Sequence, residues 1–395
     1  MPGFHLYLHI PFCIKKCGYC DFLSFAGAQA YQEDYVRALQ QEIAQGKAEF
    51  EGRKITSIFF GGGTPTVLPS LQLCRLLDGI LEQYDVDDDC EITLEANPQT
   101  VTMKSLSDYH YAGVNRLSFG LQAWQDRLLK RLGRIHSQKT FVENYLQARQ
   151  AGFSNISVDL MFDLPGQRLD DWKETLQEVA LLRPEHISAY SLIIEEGTPF
   201  YEQQQAGLIL PEDDALDREM YHMAIDILSQ QGYGQYEISN FARPGFLCRH
   251  NLAYWDVEEY AGMGLGAHSY VDGIRYHNTA DLASYLQAKG NPALVRVEKE
   301  RLTEQEQMEE FLFLGLRKTA GISTDIFQTK FGASFTSLFG RPMEEMVQEG
   351  LLIQQDGQVF FTPRGMDLCD YVTNQLLFAL EEKKEETPLS RSRKK

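Results

Sequence analysis

Six segments in the first half of the chain combine apolar residues in short runs or in alternation with polar ones: FHLYLHI, ITSIFF, CEITLEA, VNRLSFG, ISVDLMF and HISAYSLII. Each reads as a buried or half-buried strand, and the stretches between them, such as AYQEDYVRALQQEIAQG and DWKETLQEVALL, carry apolar residues at helical spacing. Strands alternating with helices predict parallel βαβ units joined by right-handed crossovers. Six such units suit a partial, open (β/α)6 barrel over residues 1–231 better than a closed eight-fold one. The pattern turns Gly- and aromatic-rich at about residue 232, which predicts a linking subdomain over 232–300 packed against the barrel. From 301, two amphipathic helical runs precede LLIQQDGQVFFTP, a hairpin around Asp356-Gly357. Helices followed by a hairpin predict a winged-helix-like α+β domain over 301–380, with 381–395 as a disordered tail.

The polar signals fall where this topology concentrates chemistry. Cys13, Cys17 and Cys20 follow the first strand, and Gly61 to Pro65 (GGGTP) follow the second. Glu95 ends the third strand, Gln122 follows the fourth, and Asp159 lies in the fifth ahead of LPGQ. In barrels of parallel strands the loops at the carboxyl ends converge on one face and build the site there. Five separate motifs are thereby collected into one place.

Three cysteines within eight residues (PFCIKKCGYC) suit neither a disulfide framework nor a zinc site, since the other four, Cys74, Cys90, Cys248 and Cys369, are scattered singly. Three thiolates on one short loop can hold three irons of a cubane [4Fe-4S] cluster and leave the fourth open to a small molecule. CxxxCxYC after a strand resembles the cluster loop of the radical S-adenosylmethionine (SAM) superfamily, in which SAM occupies that iron. The expected fold is therefore a partial (β/α)6 radical SAM barrel followed by the winged-helix-like domain.

The resemblance implies a role for the neighbouring motifs. Gly62, Gly63 and Thr64 match the turn that lines the SAM amino group, and a turn without side chains lets its backbone approach a ligand closely. Tyr7 stands where family members contact the nucleoside, although a strand aromatic in the core would look the same. Glu95 is suited to ribose hydroxyls, Gln122 to a donor and acceptor pair on the same ligand, and Arg134 to the SAM carboxylate. Asp159 is flanked by apolar residues, so it needs a partner, either the ligand or an arginine. His136, two residues from Arg134, is placed to shape the same site.

Composition narrows the setting. The chain has 395 residues, 43% hydrophobic and 24% charged, which is ordinary for a globular protein. No run has the length of a transmembrane helix and the N-terminus lacks a signal-peptide pattern, so a reducing cytoplasmic location is expected. A net charge of −19 argues against nucleic acid as a partner. The basic residues that gather in EEKKEETPLSRSRKK read as a solvated tail, with a weak, transient contact to anionic lipid as the outside reading.

CxxxCxYC, GGGTPT, EANP, GVNRLSFGLQ and the stretch before LPGQ together resemble the oxygen-independent coproporphyrinogen III oxidase group over nearly the whole chain. Two features depart from the decarboxylating enzyme of that group. Phe22 stands where the enzyme has a further cysteine, and only twelve residues precede Cys13 where the enzyme has a long N-terminal extension. His250-Asn251-Leu252-Ala253-Tyr254-Trp255 matches the HNxxYW signature of HemW-type heme chaperones, which implies His250 as a heme contact, with Cys248 as the alternative ligand. His268 and His277 are also within the chain's reach of a porphyrin, with nothing in their spacing to single them out.

The expectation is a heme chaperone that binds a [4Fe-4S] cluster, SAM and heme, without coproporphyrinogen oxidase activity. Its implied partners are heme, acceptor hemoproteins such as membrane respiratory cytochromes, an electron donor for the cluster and a second copy of the chain in a homodimer. The alternative is SAM-dependent radical decarboxylation of coproporphyrinogen III. A redox-sensing DNA regulator using the C-terminal domain is disfavoured by the acidic charge.

Overall fold

The computed structural model describes residues 3–209 and 214–386. Six strands carry the predicted repeat: β1 (Phe4–Ile10), β2 (Ile55–Gly62), β3 (Val86–Ala96), β4 (Arg116–Gln122), β5 (Ile156–Phe162) and β6 (His186–Ser191). They are hydrogen-bonded in that order, all parallel. The crossovers carry α1 (Gln32–Gly46), α2 (Ser70–Gln83), α3 (Met103–Tyr111), α4 (Gln138–Gln150) and α5 (Leu169–Leu181). Polar caps begin two of these helices: the hydroxyl of Thr102 accepts from Ser105 N ahead of α3, and that of Ser137 accepts from Thr140 N ahead of α4.

The alternation in β1 explains both faces of the sheet. Phe4, Leu6, Leu8 and Ile10 form one buried face, and His5, Tyr7 and His9 occupy the other. The polar face continues across the register, where His5 is opposite Ser57 and Ser57 opposite Glu91. Further along, Glu95 is opposite Ser118 and Ser118 opposite Ser157. Parallel strands are buried on both sides, and here one side is lined with polar groups that bond to one another.

The segment 232–300 is not a separate linking subdomain. Its strands β7 (Tyr260–Met263), β8 (His268–Val271), β9 (Ile274–Asn278) and β10 (Arg296–Arg301) continue the same sheet. β7 runs parallel to β1, and β8, β9 and β10 follow antiparallel. On the other edge, Asn240–Ala242 pairs antiparallel with β6. The compact unit thus takes in residues up to Gln235 together with Ser239–His250 and Glu258–Arg301. The pairing of β7 with β1 joins residues about two hundred and fifty positions apart in the chain, and no local pattern announces such a contact.

A second unit consists of Tyr236–Ile238, Asn251–Val257 and the chain from Leu302. Its helices Glu304–Gly315, Thr324–Phe331 and Phe335–Gln348 accompany a three-stranded sheet in which Gln358–Phe361 lies between Ile322–Ser323 and Leu352–Gln355. Asp356 and Gly357 both have positive φ, 50° and 75°, as a tight hairpin turn requires. A cluster of Phe311, Phe327, Phe331, Phe335 and Phe339 forms the core, with ring centroids 4.8–5.9 Å apart.

The last helix, Cys369–Glu386, runs into the segment expected to be a tail, because EEKKEE is built from good helix formers. The rest of that segment, 387–395, lies outside the described residues, and with it the run SRSRKK on which lipid contact was expected. Among the described residues no helix is long and apolar enough to cross a membrane.

Candidate functional site

The cysteine loop leaves β1 and is pinned on two sides. Gly18 N donates to Leu132 O at 3.0 Å, and Phe200 N donates to Gly18 O at 2.9 Å. Cys13, Cys17 and Cys20 are all free thiols, Cys13 buried and the other two partly exposed. Among the described residues no three histidine, cysteine or acidic side chains converge to hold a single metal ion. Three free thiols on one loop are a donor set that can serve three irons of a cubane, one thiolate each.

Charge on the loop has a built-in counterpart. Arg134 directs Nη1 to Cys17 Sγ at 3.7 Å, while Nη2 donates to Asn97 Oδ1 and Gly120 O. Burial alone would lower the guanidinium pKa, but Tyr19 and Cys17 beside it hold it raised. Thr64 Oγ1 lies 3.6 Å from Cys13 Sγ and accepts from Asn97 Nδ2 at 2.7 Å. Asn97 therefore ties Arg134 to the GGGTP turn, and it is a site residue that the sequence reading passed over within EANP.

The glycine turn approaches β1 too closely for side chains. Gly62 has φ +111°, and a Cβ there would lie 2.5 Å from the His9 ring. A Cβ on Gly63 would lie 2.8 Å from Phe12 O. Gly62 N donates to Glu95 Oε2 at 3.2 Å, and a Cβ on Gly61 would be 3.1 Å from both Glu95 Oε2 and Tyr7 Cε2. Tyr7, the turn and Glu95 are thus gathered at one spot. Gln122 joins Arg134 and Asn97 around Gly120, at a bulge where Gln122 itself has φ 72°.

His9 Nε2 donates to Leu23 O at 2.8 Å, so Nδ1 is left to accept from Tyr7 Oη at 3.1 Å. Burial pushes the His9 pKa down and keeps the ring neutral. His136 is buried nearby, bonded to Leu121 O at 3.3 Å, and burial with Arg134 lowers its pKa to about 3.

Below the rim sits a pair of carboxyl groups. Asp159 accepts from Ser118 Oγ at 3.0 Å, and Glu95 feels its charge. Burial raises both pKa values, that of Glu95 to about 8, with Asp159 adding to the rise and Arg116 opposing it. Since the ordinary value of 4.5 applies once the chain unfolds, the folded protein keeps a proton that the unfolded chain releases between about pH 4.5 and 8. The ligand-free protein will lose stability as pH rises through that window. Glu95→Gln will flatten the slope in a series of thermal melts, and an unchanged slope would place the titrating group elsewhere.

His250 lies deeper and is 1% exposed. Its ring stacks on Phe59 at 5.0 Å, and Nδ1 is 2.7 Å from Ser57 Oγ, which is also 2.8 Å from His5 Nδ1. His5 Nε2 completes the chain with Glu258 Oε2 at 2.7 Å. When the only ring proton of His5 points to Glu258, Ser57 donates to His5, and His250 donates from Nδ1 to Ser57. Glu91 anchors the same segment by accepting from Arg249 N and His250 N at 3.1 Å and from Cys248 Sγ at 3.6 Å. Both expected heme ligands, His250 and Cys248, are thus interior groups. Trp255 of the same signature belongs to the second unit, where Arg317 covers its ring at 5.2 Å.

The chain is similar to known proteins in sequence and in fold. The Radical SAM superfamily profile matches residues 7–179, and the HemN C-terminal domain profile matches residues 302–368. The chain is similar to heme chaperone HemW of Lactococcus lactis subsp. lactis, with 39% identity over 94% of this chain and 96% of that protein. It is equally similar to heme chaperone HemW of Bacillus subtilis, 39% over 94% and 98%. Heme chaperone HemW of Escherichia coli is 41% identical over 69% and 71%. The solved structure of Escherichia coli coproporphyrinogen III oxidase (HemN), a radical SAM enzyme, superposes with a TM-score of 0.82 over 97% of this chain and 91% of that one. At 23% identity this similarity carries the fold alone.

Proposed function

The chain belongs to the HemW heme chaperone family of the radical SAM superfamily, and from that premise we propose that it binds heme and passes it to acceptor apoproteins such as membrane respiratory cytochromes. The observation that carries this reading is the similarity to heme chaperones along almost the whole length of both proteins. Decarboxylation of coproporphyrinogen III is not favoured by these relatives, and Phe22 stands where the enzyme has a further cysteine.

On this reading Cys13, Cys17 and Cys20 would hold a [4Fe-4S] cluster. Tyr7, Gly62, Gly63, Thr64, Glu95, Gln122, Arg134 and Asp159 would surround SAM. When bound, a cubane with one open iron supplies a coordination position and an electron for the sulfonium. The protein's own part is placement: Glu95 and Gly62 present an acceptor and a close backbone on one side, and Arg134 balances the thiolates on the other. An electron donor for the cluster and a homodimer belong to the same proposal.

Anaerobic titration of the cluster-loaded protein with heme tests it. One saturable heme per chain is expected, with no decarboxylated product when coproporphyrinogen III and SAM are supplied. Turnover without saturable heme binding would overturn the chaperone reading in favour of the enzyme.

A further inference from the structure

A heme ligand has to present a ring nitrogen to the face of a large flat macrocycle, and His250 is enclosed by Ser57, Phe59 and Glu91 within the barrel. His268 is differently placed. It opens β8 on the exposed side, directly opposite His277 of β9, and the two rings stack at 4.9 Å with 27° between their planes. His277 is engaged at both nitrogens, with Nδ1 donating to Asn278 O at 2.9 Å and Nε2 lying 3.1 Å from Glu298 Oε2. No hydrogen bond among the described residues engages the His268 ring.

The strand direction brings this pair to the rim of the site. β7 runs parallel to β1, so its end lies beside the end of β1, and β8 starts there after a short turn. That turn abuts the cysteine loop: a Cβ on Gly266 would lie 2.4 Å from Leu23 Cδ2. Next to Leu23 is Phe22, 65% exposed, and Lys16 Nζ donates to Phe22 O at 3.0 Å. His268 and Phe22 are each within about 7 Å of the Gly266–Leu23 seam along their own chains, at roughly 3.3 Å per extended residue. An open imidazole, a solvent-facing phenyl ring and a cation for a carboxylate therefore share one edge.

We propose that heme docks on this rim, with His268 as its axial ligand, His277 as the platform behind that ring, and Phe22 against the porphyrin. The inference rests on the chaperone reading and adds its site. Imidazole binds heme iron in the neutral form, and burial, His277 and Arg275 hold the His268 pKa below its usual value. Phe22 supplies apolar contact, and Lys16 lies where a propionate can be met. The position beside the cysteine loop would also place the cargo next to the cluster that the same loop holds.

The test is anaerobic heme titration of the full-length, cluster-loaded protein, followed by Soret absorption, for the parent, His268→Ala, His268→Cys and His250→Ala. Iron and sulfide content is measured for each. His268→Ala is expected to weaken heme binding tenfold or more at unchanged cluster content, with the parent spectrum restored by free imidazole. His268→Cys is expected to move the Soret band to that of a thiolate-ligated heme, a change that loss of structure does not produce. Saturable parent binding with His268 variants that match the parent in affinity and spectrum would overturn the site and leave the chaperone reading intact. A parent that binds no saturable heme would overturn that reading, and the site with it.

Discussion

Cys17→Ala protein, purified without oxygen and reconstituted with iron and sulfide, will lack the visible absorption of an iron–sulfur cluster, and its iron content will fall to background. The loop carries three thiols, so on the proposed assignment each ligated iron would have one thiolate and no substitute on the loop. Cys17 is also the sulfur that Arg134 faces at 3.7 Å, so its removal leaves a buried guanidinium without that partner. The variant should remain folded, since Gly18 is anchored through its own backbone to Leu132 and Phe200. Full absorption in the variant would remove Cys17 from the ligand set, and with it the assignment of the loop. Heme titration of the same variant separates the two cofactors. Loss of heme binding along with the cluster would mean that the rim depends on the loaded loop.

Glu42→Leu will cost about 3–5 kcal/mol, because it strands several buried hydrogen-bond donors at about 1–3 kcal/mol each. Glu42 is 3% exposed in the middle of α1. It accepts from Gly264 N at 3.0 Å, Asn278 Nδ2 at 2.7 Å and Tyr285 Oη at 2.6 Å. Tyr35 extends the network, donating to His9 O at 2.6 Å and accepting from Leu265 N at 2.9 Å. Leucine fills the volume and leaves three donors unsatisfied, which is the expensive way to lose hydrogen bonds. At roughly 2–4 °C per kcal/mol for a domain of this size, the thermal midpoint will fall on the order of 10 °C. Burial raises the Glu42 pKa above its ordinary value of 4.5, so stability falls as pH rises from that ordinary value to the raised one and levels off above it. Both Glu42→Gln and Glu42→Leu remove this titration, and Glu42→Gln, which keeps an acceptor oxygen for the network, will be the milder at every pH. A loss under about 1 kcal/mol for Glu42→Leu would show that the network is dispensable. The same network holds the turn between β7 and β8, so the leucine variant should also weaken heme binding at the rim.

Much of the site was legible because local chemistry and topology agree. FHLYLHI and ISVDLMF coincide residue for residue with β1 and β5. The motifs after β1, β2, β3 and β4 meet because parallel strands point their ends the same way. Other features were hidden by the limits of pattern reading. Alternation shows that a strand has two faces but not which one turns inward. His5, Tyr7 and His9 are the lining of the barrel, and the apolar residues between them face outward against the helices. Asn97 was inconspicuous because an asparagine before a proline reads as turn chemistry, and only its bonds to Thr64 and Arg134 give it a role.

The repeat of strands and helices, the cysteine loop, the glycine turn and the family resemblance are all carried by contiguous stretches of chain. All of these are short-range patterns or contiguous motifs. The tertiary structure decided how distant segments combine. It placed Tyr260–Met263 beside β1, which converts a predicted linking subdomain into four more strands of the sheet. It buried His250 behind Ser57 and Phe59 and left His268 exposed, although in sequence only His250 belongs to a recognisable signature. Burial is a property of what packs around a residue, and in a sheet extended by long-range pairing those neighbours come from distant parts of the chain.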